Sequence, residues 1–80
     1  MRVREKKEYV IFTFHTTAAA MATEKLCQSK ALDGRLISAP RALSADCGIA
    51  WSAPLALRQA LQIALGESGI EYEGIYELLL

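Results

Sequence analysis

The order of predicted elements is β-α-β-β-α-β. This is an α+β fold of the ferredoxin-like type, with a four-stranded antiparallel sheet and two helices on one of its faces. Three observations predict it. A β-branched and aromatic run opens the chain at 8–14. Two stretches rich in Ala, Leu, Gln and Met carry apolar residues at helical spacing. Short apolar runs bounded by Gly and Pro fill the gaps between and after them.

The first strand is Glu8-Tyr9-Val10-Ile11-Phe12-Thr13-Phe14. Val10, Phe12 and Phe14 share one face, and Tyr9, Ile11 and Thr13 the other, so the strand reads as central. Thr16 or Thr17 can cap a helix starting at Ala18 and running to about Ser29. Its expected buried stripe is Ala18, Met21, Ala22, Leu26 and Ser29, with Cys27 at the edge. Asp33-Gly34 reads as a turn, and Leu36–Ala39 as a strand ended by Pro40. Gly48–Ser52 is a third strand of ambiguous facing, with Ile49 and Trp51 on one side and Gly48, Ala50 and Ser52 on the other. Pro54 suits the first turn of a second helix, whose apolar face is Leu57, Ala60, Leu61, Ala64 and Leu65 and which Gly66, Ser68 and Gly69 end. A last strand spans Ile70 to about Leu78, with Glu71, Glu73 and Glu77 on a solvated face.

The 80 residues allow one domain, read as a basic N-terminal segment at 1–7 followed by a single domain at 8–80. An apolar fraction of 52% is enough for a core. Nine basic and nine acidic residues cancel, so no general attraction to nucleic acid is expected; Arg2, Arg4, Lys6 and Lys7 read as a solvated end. The first apolar run is too short for a membrane span or a signal sequence, so a reducing cytoplasm is the expected compartment. Two cysteines and one histidine are too few for a disulfide framework or a metal site, so no cofactor is expected.

The stretch of chemical interest is Arg41-Ala42-Leu43-Ser44-Ala45-Asp46-Cys47-Gly48. In this topology the loop between the second and third strands lies at the same end as the junction of the first strand with the first helix. Cys47 and His15 therefore come to one end of the molecule, together with the helix N-terminus. Thiolate is the reactive form of cysteine, and helix N-termini and cations favour it. His15, Arg41 and the first helical N–H groups are expected to act in that direction, Thr16 and Thr17 to donate hydrogen bonds, and Asp46 to oppose. Ser44 and Gly48 complete a polar loop in which Gly48 admits close approach to the sulfur. Each has a blander reading: a structural thiol for Cys47, a cap or surface group for His15, a solvating charge for Arg41.

The ordered set Thr13–Thr17, Glu24-Lys25-Leu26, Pro40-Arg41, Ser44–Ala50 and Gly69–Tyr76 resembles the Se/S carrier protein-like domains, small bacterial domains. The resemblance covers about Tyr9 to Glu77 and implies delivery of sulfur or selenium from a loop cysteine. Two departures stand out. Ala31 occupies a position after the first helix where such domains usually have Gly. The Cys-Pro-x-Pro motif of better-understood sulfur-relay carriers is absent, since Gly48 follows Cys47.

The leading expectation is a carrier rather than an enzyme. Cys47 would hold a persulfide or selenylsulfide, with a cysteine desulfurase-type donor and an acceptor enzyme as partners. The alternatives are a small-molecule-binding or regulatory module, and an oligomerisation domain. A homodimer is also expected: two helices cover one sheet face, leaving Tyr9 and Ile11, and in one facing Ile49 and Trp51, as apolar surface on the other.

Overall fold

The computed structural model describes residues 7–40, 42–43 and 47–79. The elements are β1 (Glu8–Thr13), α1 (Thr17–Ser29), β2 (Arg35–Ser38), β3 (Ile49–Pro54), a 3-10 turn (Leu55–Leu57), α2 (Arg58–Glu67) and β4 (Gly74–Leu79). The strands form one antiparallel sheet in the order β2-β3-β1-β4. The expected ferredoxin-like βαββαβ fold is therefore the observed one. The basic N-terminal residues 1–6, Arg41, Ser44, Asp46 and the last residue lie outside the described residues.

Both helices cover the same sheet face. Val10, Phe12 and Phe14 of the β1 region and Trp51 and Ala53 of β3 meet Ala20 and Cys27 of α1 and Leu61 and Leu65 of α2 in one buried cluster. Tyr72 closes it edge-on against Phe12, with ring centroids 5.2 Å apart. Outside the described strand pairs, Arg58 of α2 bonds Glu77 of β4 at the rim.

The buried stripe of α1 differs from the expected one. Ala20, Thr23 and Cys27 are buried, while Met21 is 49% exposed. An alanine-rich start gives no rotational signal, and Thr23 can go inward because its hydroxyl donates to the Ala19 carbonyl at 2.9 Å. Cys27 is thus a core residue rather than an edge one. Pro54 ends β3 and precedes the 3-10 turn, so α2 begins four residues later, at Arg58.

The facing of β3 resolves against the expectation of an exposed apolar sheet face. Trp51 pairs with Phe12 and is 2% exposed on the helix side, and Ile49 packs on the core. Ile11, on the other face, is also fully buried. The last strand starts at Gly74, not Ile70, and its register puts Glu77 opposite Val10 on the helix side. The three glutamates thus do not share one solvated strand face.

The helices end alike. Leu32 N–H reaches Cys27 C=O (2.9 Å) and Ala31 N–H reaches Gln28 C=O (3.4 Å); Ile70 to Leu65 and Gly69 to Gly66 repeat the pattern. The residue after the cap is left-handed in both, Ala31 at φ 55° and Gly69 at φ 69°.

Candidate functional site

Strand register fixes where the loop thiol lies. Thr13, the last residue of β1, pairs with Ala50 on one side and Gly74 on the other. The residues leaving β1 (His15, Thr16, Thr17) and those entering β3 (Cys47, Gly48) are therefore at one end of two adjacent strands. This is the juxtaposition expected from topology. The base of the loop is closed by Ala39 N–H to Gly48 C=O at 3.0 Å, and Leu43 N–H turns back to Pro40 C=O at 2.9 Å.

Thr16 caps α1: its Oγ1 accepts from Ala19 N–H at 3.1 Å, and Thr17 is the first helical residue. This settles which threonine caps. One of the orphan donors of the helix start is therefore satisfied within the helix itself. His15, Thr16 and Thr17 are exposed.

Cys47 is half-buried and packs against the rim of the core. Its Sγ–H donates to the Ile49 carbonyl at 3.3 Å. The thiol's acceptor is thus two residues on, at the start of β3, and not Thr16 or Thr17. Gly48 is left-handed at φ 75°, and a Cβ there would meet nothing within 4 Å among the described residues. Its glycine answers the backbone conformation, which L-residues rarely adopt. The second thiol is of a different kind: Cys27 is fully buried, and burial pushes its pKa up from the usual 9.0.

Glu73 was missed by sequence reasoning as a neighbour of this end. Its N–H donates to the Thr13 carbonyl at 2.6 Å, and its Oε1 is buried with no hydrogen-bond partner among the described residues. Among the described residues no cluster of three or more His, Cys, Asp and Glu could hold a metal, and no helix is long and apolar enough to cross a membrane. Two clefts lie elsewhere. One, of about 500 Å³, is lined by Lys30, Leu32, Ala60 and Ile63. The other, of about 340 Å³, includes Asp33 and Arg35.

Fold and site together define a small ferredoxin-like α+β domain with one core thiol and one half-exposed thiol at a strand-loop junction. The chain belongs to the family described as Putative Se/S carrier protein-like, whose model matches residues 8–77. No curated protein and no solved structure matches it significantly.

Proposed function

We propose that the chain is a sulfur or selenium carrier, not an enzyme, and that Cys47 Sγ is the attachment point. Membership of the carrier-like family supports the cargo class. The observation that carries the choice of atom is the contrast between the two thiols. Cys27 is fully buried, and burial raises its pKa; Cys47 is only half-buried, at the rim of the core.

In the loading step the Cys47 thiolate attacks the outer sulfur of a persulfide on a donor of the cysteine desulfurase type. The donor S–S bond breaks as the Cys47 S–S bond forms, the donor leaves as a thiolate, and that thiolate takes up the proton Cys47 gave away. There is no net oxidation. A nucleophile on an acceptor enzyme then takes the outer atom in the same way. His15, Thr16 and Thr17 stand at the end from which a partner would approach, with Arg41 and Ser44 in the same loop by sequence. Loading requires the Cys47 proton to leave the Ile49 carbonyl, so docking has to break that hydrogen bond.

The test uses a limiting alkylating reagent on the native chain, with adduct mapping by mass spectrometry, followed by exposure to a small-molecule persulfide donor. Cys47 is expected to take nearly all the label and to gain the mass of one sulfur, with both lost in Cys47→Ala. Preferential modification of Cys27 would sink the assignment.

A further inference from the structure

We infer that the cleft at the sheet end remote from Cys47 is a binding site for a free α-amino acid in its zwitterionic form. It is a cavity of about 340 Å³ on the face away from the helices. That volume lies at the small end of ligand pockets. Tyr9, Ser52 and Pro54 line it from the central strands, and Asp33 and Arg35 from the edge.

The local backbone explains why the two charges share the cleft. Arg35 pairs with Ser52, and Ser52 with Ile11, which puts all three on the face away from the helices. Asp33 lines the same cleft as Arg35, while Gly34 between them meets the helix-side Trp51. Gly34 is indeed pressed on the Trp51 indole: a Cβ there would lie 2.6 Å from the ring. The glycine lets the chain seat on Trp51, and that seating turns Asp33 and Arg35 outward together.

Among the described residues these opposite charges nevertheless form no ion pair with each other or with another side chain. They are two residues apart in the chain and line the same cleft, so a ligand carrying both signs can address the two together. The guanidinium offers a paired donor edge to a carboxylate, and Asp33 accepts from an ammonium. Only a free amino acid carries both groups on one carbon; a peptide separates them. Ser52, 6% exposed, places a hydroxyl on the floor. The site is independent of the carrier reading, since it lies at the opposite end of the strands.

Trp51 is the chain's one tryptophan and sits directly beneath Gly34, so its fluorescence reports on the cleft. The experiment titrates the native chain with L-serine and L-alanine, with propionate and ethylamine as single-charge probes, at neutral pH, followed by Trp51 emission and backbone amide NMR shifts. Saturable shifts at 33–35 and 52–54 are expected for the amino acids, with affinity at least tenfold above either single-charge probe. Asp33→Asn and Arg35→Gln, both at exposed positions, should each weaken binding at least tenfold without changing the circular dichroism spectrum. Absence of saturable shifts, equal affinity for propionate alone, or unaltered binding by the two variants would each overturn the proposal. Cys47 labelling should be the same with and without the amino acid, so failure here leaves the carrier reading separately testable.

Discussion

Replacing Ala31 with glycine should stabilise the protein. Ala31 closes α1 in a left-handed conformation at φ 55° and is exposed, so its methyl group contributes little packing. Holding an L-residue there costs about 1–2 kcal/mol. Glycine removes that cost but adds freedom to the unfolded chain, worth about 0.4–1 kcal/mol against folding. The net gain for Ala31→Gly therefore lies between about 0 and about 1.6 kcal/mol, about 0.8 kcal/mol at the middle of that range, which for a domain of this size is a midpoint rise of about 3–6 °C. The chain supplies its own control. Gly69 occupies the same place after α2 with φ 69°, and a Cβ there would touch nothing within 4 Å. Gly69→Ala should thus lose about what Ala31→Gly gains, for backbone reasons alone. Urea unfolding of the two variants and the parent, with midpoint and slope fitted separately, measures both. An Ala31→Gly protein no more stable than the parent would refute the reasoning, because it would mean that the strain is not stored at this residue.

Two further outcomes follow from packing. Gly34→Ala would drive a Cβ to 2.6 Å from the Trp51 ring at a backbone φ of 151°, so a loss of about 1–3 kcal/mol and a red-shifted Trp51 emission are expected; an unchanged urea midpoint would contradict the close contact. Cys27, whose pKa burial raises, should make stability fall with alkali: below pH 9.0 folded and unfolded chains both hold the proton, and above it the unfolded chain releases it first. The pH profile of unfolding should therefore steepen downward from about pH 9 by at most one proton's worth, about 1.4 kcal/mol per pH unit, and a Cys27→Ala profile lacking no part of that slope would count against the assignment.

The strands were legible where alternation is unambiguous. Val10, Phe12 and Phe14 name the core face of β1, and their burial matches. Helix α1 was legible as a helix but not in rotation, because Ala18, Ala19, Ala20 and Ala22 fit any face and the inward residues include a threonine whose hydroxyl is satisfied locally. Trp51 and Ile49 could not be oriented from sequence, since Ala50 and Ser52 on the opposite side are small enough for either environment. Register with β1 decided it. The convergence of Cys47 with His15, Thr16 and Thr17 at one end was readable from element order alone. The hydrogen bond from Cys47 to Ile49 was not, since it depends on how the turn at Gly48 enters the strand. Asp33 and Arg35 read only as flanks of a turn; the cleft exists because of a contact between Gly34 and a residue 17 positions later.

The placement of the two thiols bears on how long a cargo would stay loaded. Cys27 lies ten residues beyond the start of α1, about 15 Å along the helix axis from the end where Cys47 sits, and it is enclosed by the core. A chalcogen atom held on Cys47, as proposed, would therefore have no second thiol within the chain able to reach it and displace it as a disulfide. Many single-domain thiol proteins discharge themselves through such a resolving partner; this one lacks the geometry. On the proposed carrier reading discharge would therefore have to come from another molecule, and the lifetime of a loaded state would be set by encounter with a thiol from outside and by how well that thiol fits the loop.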